Sequence, residues 1–452
     1  MKGIVLNKVS VRFPTAKDPM LKDISLSVAE GECILLTGPC GCGKSTLLRL
    51  INGIVPHVVP GEISGTINVN GHIPAQEKIW RLGRTVATVY QNPRHQFFCA
   101  QPLYELAFGS GNAGQEPKEI LSRAKNIAQD LAILPLLNRS MFTLSGGELQ
   151  RVAIGSALMD QPGFLLLDEP TSSLDTKNIH ALASILRRLR TQGMTIIIAE
   201  HRLWFLRDVV DRVIRLTHGR IVEDVSASIF WQREDALRRE QGLRSLTQPI
   251  TETLTEPAVE RIRGLTYPCS EQRILHFPRG AVTALCGENG IGKTTLAKRI
   301  SGLKRTHHPI LLDGRPLSPK KRLRRTFLVL QDVNQQLFGA SVAQELQMGR
   351  QFIRKQSLDQ VIKDMELSKL LDRHPMALSG GQQQQVVVAL ALLQQQDILI
   401  FDEPTSGLDY AQLVRVAKRL NQLANAGKVN ILITHDQELI ALCADYQIIL
   451  SN

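Results

Sequence analysis

Short, uninterrupted apolar runs punctuate this chain. CILLT at 33–37, FLLL at 164–167 and TIIIA at 195–199 each stand between polar stretches. That length, with no polar alternation, predicts strands buried on both faces of a sheet. Ser45–Asn52 follows a glycine-rich turn and reads as a helix. The opening MKGIVLNKVSVRFP alternates like a strand and has no apolar stretch of the kind a secretion signal carries. Strand and helix therefore alternate, which predicts an α/β fold with a mainly parallel sheet and ligands at the carboxyl ends of its strands. No run of 18 or more apolar residues occurs, so no segment is expected to cross a bilayer as a helix.

The pattern is written twice. GPCGCGKST (38–46) returns as GENGIGKTT (287–295), LSGGE (144–148) as LSGGQ (378–382), and LLLDEPTSSLD ending at Asp175 as LIFDEPTSGLD ending at Asp409. Ser145 and Ser379, Asp168 and Asp402, and His201 and His435 are each 234 residues apart, so this part repeats without a gap. Lys44 and Lys293 are 249 apart; the first copy carries 15 more residues before its LSGG, and the Pro/Gly-rich stretch at 54–65 reads as part of that excess. The expected organisation is a first domain at 1–226, a linker at 227–257 with a charged helix-like stretch and a Thr/Pro-rich tail, and a second domain at 258–452.

The glycine-rich turns carry the first chemistry. Gly38, Pro39, Cys40, Gly41, Cys42, Gly43, Lys44, Ser45 and Thr46, and in the second copy Gly287, Glu288, Asn289, Gly290, Ile291, Gly292, Lys293, Thr294 and Thr295, both follow the G-x4-G-K-[S/T] spacing of a phosphate-binding P-loop. Glycines let backbone amides converge on phosphate oxygens, and the helix that follows adds partial positive charge. Lys44 and Lys293 would reach the outer phosphates; Ser45 and Thr294 would offer hydroxyls to Mg²⁺. Two such loops, each after an apolar strand, point to a nucleoside-triphosphate enzyme with ATP and Mg²⁺.

Asp168-Glu169 and Asp402-Glu403 each end an apolar strand. The first acid of each pair suits the metal, and the second suits a general base that orients the attacking water. His201 and His435 follow strands at a repeated offset and are expected at the terminal phosphate.

With the order P-loop, glutamine, LSGG, DEP, SxLD and histidine assembled, the chain resembles the ATP-binding-cassette (ABC) family over nearly its whole length. The resemblance implies two tandem P-loop NTPase domains, each a mainly parallel sheet with a helical subdomain. It implies that the signature of one domain, Ser145, Gly146 and Gly147 or Ser379, Gly380 and Gly381, completes the ATP site of the other. Gln91 and Gln331 match the glutamine that links Mg²⁺ and water to the partner subunit. Phe13 and Tyr267, each followed by proline, stand where the family stacks an aromatic ring on adenine. Three departures occur: Glu148 ends the first signature, Gln385 stands where the first copy has Arg151, and AEHR replaces THD around His201. None removes a catalytic group.

The stretches QNPRHQFFCAQPLYELAFG and QDVNQQLFGASVAQELQMG resemble the ATPases of energy-coupling-factor (ECF) importers. That implies an integral-membrane coupling subunit and a small substrate-binding membrane subunit as partners, with a vitamin, a vitamin precursor, cobalt or nickel as cargo. Glu105 and Glu345 match the acid placed at the coupling interface, and the chain would lie peripherally on the cytoplasmic face of the membrane. The net charge of +12 suits an anionic surface. It also suits the alternative of a soluble tandem ABC ATPase acting on ribosomes or nucleic acid; the ATPase of another ABC importer class is a further alternative. The linker lacks the long charged helices of the translation factors, so no nucleic acid is expected. Seven scattered cysteines with no CxxC pair suggest neither a disulfide framework nor a zinc site.

Overall fold

The computed structural model describes residues 3–14, 16–172, 174–249, 254–257, 263–269, 273–330, 333–348, 355–378, 380–393, 396–405 and 407–450. The chain divides into two compact units, Met1–Gln248 and Pro249–Asn452.

Among the described residues the first unit holds nine strands: β1 (Ile4–Arg12), β2 (Leu21–Val28), β3 (Cys33–Thr37), β4 (Glu62–Val69), β5 (Val86–Val89), β6 (Phe164–Asp168), β7 (Thr195–Ala199), β8 (Arg212–Thr217) and β9 (Arg220–Ser226). Six of them form a sheet in the order β5-β6-β7-β3-β8-β9, parallel except for the β8–β9 hairpin. The runs β3, β6 and β7 are buried at every residue, as their unbroken apolar character predicts. A second, antiparallel sheet has the order β2-β1-β4. Helices cover the large sheet, and those at Pro102–Asn112, Pro117–Asp130 and Gly146–Leu158 pack on one another as a helical layer. One apolar cluster lies on that side of the sheet, and another lies between the large and small sheets.

Beyond β9 the chain makes two short helices, Ala227–Phe230 and Asp235–Glu240. Phe230, Trp231, Leu243 and Leu246 are buried in the first unit's core. The stretch expected to begin a linker at 227 is thus packed down as far as Leu246.

The second unit repeats the plan with β10 (Gly264–Pro268), β11 (Ile274–Pro278), β12 (Ala281–Cys286), β13 (Leu311–Leu312), β14 (Arg315–Pro316), β15 (Thr326–Val329), β16 (Ile398–Asp402), β17 (Val429–Ile433) and β18 (Tyr446–Ile449). Its parallel sheet runs β15-β16-β17-β12-β18. Among the described residues, nothing follows β18 as β9 follows β8.

Candidate active site

In the first unit the carboxyl ends of four adjacent strands deliver the expected residues to one place: β5 leads to Gln91, β6 to Asp168 and Glu169, β7 to His201, and β3 to the glycine loop. Gly38 opens the loop with φ 138, and a Cβ there would lie 2.0 Å from the carbonyl oxygen of Leu216. Only glycine fits that approach. The helix Lys44–Ile51 follows, and Lys44 turns back so that its Nζ donates to the carbonyls of Gly38 (3.1 Å) and Pro39 (3.3 Å) and lies 3.0 Å from His201 Nε2. Cys40 Sγ is 3.5 Å from the same ring nitrogen. Ser45 Oγ donates to Asp168 Oδ1 at 2.9 Å, and Gln91 Nε2 donates to Glu169 Oε2 at 2.7 Å.

Sheet register explains the next contacts. Asp168 pairs with Ala199 across β6 and β7, so Glu169 and Glu200 leave neighbouring strands at the same level. The Glu169 amide donates to Ala199 O at 2.8 Å, and this residue sits at φ 46. Glu403 repeats the left-handed backbone at φ 51. A non-glycine residue there carries strain of order 1 kcal/mol or more, and such strain gathers at functional sites.

The charges are mutually adjusted. Burial, reinforced by Asp168 and Glu200 and opposed by Lys44, pushes the Glu169 carboxyl up to about 8. Burial also raises Asp168, against the lowering effects of the Ser45 hydrogen bond, Arg49 and Lys44. His201 is held well below the ordinary histidine range by burial and by the positive charges of Lys44 and Arg244. Lys44 loses ground to burial but regains more from Cys42, Cys40, Glu169 and Asp168, and ends above its usual value. The site therefore keeps a cation, a neutral imidazole and a proton-holding carboxyl within a few ångströms.

The second unit copies the geometry. Lys293 Nζ donates to Gly287 O (2.6 Å) and Glu288 O (3.0 Å) and lies 3.0 Å from His435 Nε2. Thr294 Oγ1 donates to Asp402 Oδ2 at 2.7 Å. Asn289 Oδ1 stands 3.0 Å from His435, in the place of the first unit's thiol. Thr434 Oγ1 donates to Glu403 Oε2 at 3.1 Å.

Each pairing of a hydroxyl with a carboxylate offers hard oxygen donors that fit Mg²⁺, which keeps several waters and takes one or two protein oxygens. Lys44 and Lys293, each bonded to carbonyls of its own loop, sit where phosphate oxygens can replace those carbonyls as acceptors.

The signatures sit on helix starts. Ser145 caps the helix Gly146–Leu158 in a reciprocal box with Glu148; its Oγ and backbone amide donate to Glu148 Oε2 at 2.8 and 2.7 Å. A Cβ on Gly147 would lie 2.2 Å from Asn178. Asp175, which ends the repeated SxLD, caps the following helix through the Asn178 amide, and Asp409 does the same through Gln412. Gly380 and Gly381 begin the helix Gly380–Leu392. Gln331 and Ser379 lie outside the described residues.

Two expectations are corrected. Glu105 and Glu345 do not present their acids to a partner: both are buried. Glu105 Oε2 accepts the amides of Phe98 (2.9 Å) and Cys99 (2.8 Å), and Glu345 Oε2 those of Phe338 (2.7 Å) and Gly339 (2.5 Å). The loop turns back over each helix start, and the carboxylate satisfies its amides. Tyr267, expected to stack on adenine, is buried with Leu275 and Phe277 because its position in β10 faces inward. Phe13, just past β1, is partly buried and keeps an accessible face.

Sequence reasoning missed Glu200, Thr171 and Arg244. Glu200 was visible as the acid of AEHR, a departure whose use depends on the fold. Arg244 arrives from the packed segment beyond β9 and carried no motif.

The description "ABC transporter" belongs to the family that matches residues 21–172 and 272–406. A Treponema denticola protein bearing the name of an ABC transporter ATP-binding protein is 40% identical over 466 residues, covering 99% of this chain and 95% of its own length. A similarly named Methanosarcina acetivorans protein is 33% identical over 515 residues, covering 99% and 84%. A chain in a model of ribosome-bound archaeal Pelota and ABCE1 shares the fold, with a TM-score of 0.68 and 22% identity over 98% of this chain and 76% of that one.

Proposed function

This chain belongs to the ABC transporter family and is an ATPase that uses ATP with Mg²⁺, and from that premise we propose that it powers a membrane importer of ECF type carrying a vitamin, a vitamin precursor, cobalt or nickel. Its partners are an integral-membrane coupling subunit and a small substrate-binding membrane subunit. The observation that carries this reading is the surface beside the glutamine loops. Phe98 and Phe338, on the loops that Glu105 and Glu345 hold, are 76% and 74% exposed. In the first unit Phe98 stacks on Phe108 at 4.9 Å, and Tyr104 and Phe142 are also exposed. In the second unit Met348 and Met376 are exposed as well. A repeated apolar patch at a loop that touches the reaction centre suits an apolar partner surface. Among the described residues no helix is long and apolar enough to cross a membrane, so the translocation path is assigned to other chains.

In this reading Lys44 and Lys293 hold the outer phosphates. Glu169 and Glu403 orient the attacking water and take its proton. Neutral His201, and His435 in the second unit, contact the terminal phosphate. Ser45 with Asp168, and Thr294 with Asp402, would hold Mg²⁺, which would supply neutralisation of phosphate charge. Gln91 ties Glu169 to the loop carrying Phe98, so docking there adjusts the base directly.

The test is extraction of membranes in mild detergent followed by capture of the tagged chain. Co-purification with two hydrophobic subunits, one of which binds a vitamin or metal ion, is expected. Sedimentation with ribosomes and no membrane partner would overturn the proposal.

A further inference from the structure

The two cassettes anchor their histidine loops with carboxylates on opposite sides of the histidine. In the second unit Asp436, the residue after His435, is buried, accepts from Thr405 Oγ1 at 2.9 Å, and sits in a turn where its own amide donates to Thr434 Oγ1 at 3.0 Å. In the first unit the residue after His201 is Arg202, and the acid is Glu200, the residue before. Glu200 is 3% exposed. Its Oε2 accepts from Thr171 Oγ1 (2.7 Å) and the Thr171 amide (3.2 Å), and its Oε1 from the amides of His201 (2.8 Å) and Arg202 (3.0 Å). Thr171 and Thr405 are equivalent, 234 residues apart, each two positions beyond the catalytic glutamate. One carboxylate thus stitches the loop after β7 to the loop after β6 in the first unit, and the loop after β17 to the loop after β16 in the second, reached from opposite directions.

We propose that Glu200 is a positioning residue for hydrolysis in the first cassette, fixing His201 against the loop of Glu169 as Asp436 fixes His435 in the second. The exchange is compensated locally. Arg202, at the place of Asp436, points its Nη1 at the carbonyls of Thr171 (3.4 Å) and Leu174 (3.5 Å), so the same loop is held from a second side. Four donors converge on the two oxygens of one buried carboxylate, which leaves the side chain little freedom, and an imidazole displaced by an ångström loses its line to the phosphate. The exchange also makes the two sites unlike. Glu403 accepts a hydrogen bond from the Thr434 hydroxyl, whereas Glu169 has Glu200 at that level of the sheet. The proposal rests on the reading of His201 as a phosphate contact.

The experiment compares the full chain with Glu200→Ala, Glu200→Gln and the transposing double variant Glu200→Thr/Arg202→Asp, reading kcat and KM for ATP, nucleotide binding and melting temperature. The expected result is a kcat lowered by half or more in Glu200→Ala with KM and binding stoichiometry kept, and recovery toward the native kcat in the double variant, which recreates the second cassette's arrangement. Native kcat in Glu200→Ala would overturn the proposal. So would a folded, ATP-binding double variant no more active than Glu200→Ala. Should Glu200→Ala fail to fold, Glu200→Gln carries the test: reduced kcat at native KM supports it and native kcat refutes it. These outcomes are independent of membrane co-purification, so the importer reading and this assignment fail separately.

Discussion

Lys44 Nζ stands 3.0 Å from His201 Nε2, and Lys293 keeps the same distance from His435. An ammonium can only donate, so the imidazole of His201 accepts through Nε2 and carries its proton on Nδ1. Burial and the neighbouring cations hold His201 in that neutral form. The lysine therefore fixes the tautomer of the histidine that follows β7, besides the phosphate contact proposed for it.

Replacing Lys44 by alanine removes a charge-assisted phosphate contact worth about 1.5–3 kcal/mol, or roughly 10- to 100-fold in affinity. The expected outcome is a fall from two high-affinity nucleotides per chain to one, with Lys293→Ala giving the same fall and the double variant none. Equilibrium dialysis with labelled ATP reads this directly; two undiminished sites in Lys44→Ala would contradict the assignment.

Glu169→Gln with Glu403→Gln keeps the side-chain shape and the partners Gln91 and Thr434 while removing proton acceptance. Turnover is expected to drop by about 10²-fold or more, the usual range for a general base, with ATP binding intact. Measured phosphate release close to native would refute the base assignment.

Glu105→Ala leaves the amides of Phe98 and Cys99 without their acceptor. Stranding such donors costs on the order of 1–3 kcal/mol, so a lowered urea midpoint is expected. The loop that carries Phe98 should become sensitive to proteolysis, and membrane co-purification should weaken. Glu105→Gln retains an acceptor oxygen and should restore much of the loss. Unchanged stability in Glu105→Ala would show that the loop holds itself.

The parts legible in the sequence were those in which a backbone demand fixes the residue type. Gly38 and Gly287 must be glycine because a Cβ would strike a carbonyl, and β3, β6 and β7 must be apolar throughout because both sheet faces are covered. The phosphate loops were read from their glycine spacing, and the acid pairs and histidines from their place after strands at a repeated offset. What escaped notice depended on contacts between distant segments. The helices Ala227–Phe230 and Asp235–Glu240 are too short to show a period, so the burial of Phe230 and Leu243 left no trace in the pattern. Glu105 looks the same in sequence whether its carboxylate faces a partner or two amides of its own loop. Glu200 was visible as a departure, but its purpose required knowing that β6 and β7 are adjacent and in register.

The raised carboxyl of Glu169 makes two pH trends oppose one another. Its folded value of about 8 exceeds the ordinary 4.5, with burial the principal cause. Between those values the folded chain retains a proton that the unfolded chain has released. Stability therefore falls as pH rises across that window; this group's contribution is complete below about 4.5 and gone above about 8. Catalysis runs the other way, because only the ionised carboxylate accepts a proton from water, so kcat/KM should climb toward pH 8. Glu169→Gln should abolish both slopes at once: its melting temperature should rise relative to native as pH is raised from 5 to 8, and the limb of the kcat/KM profile ending near 8 should vanish. A kcat/KM limb unchanged by this substitution would assign it to another group, and an unchanged pH dependence of the melting temperature would mean that Glu169 is ionised in the folded chain throughout.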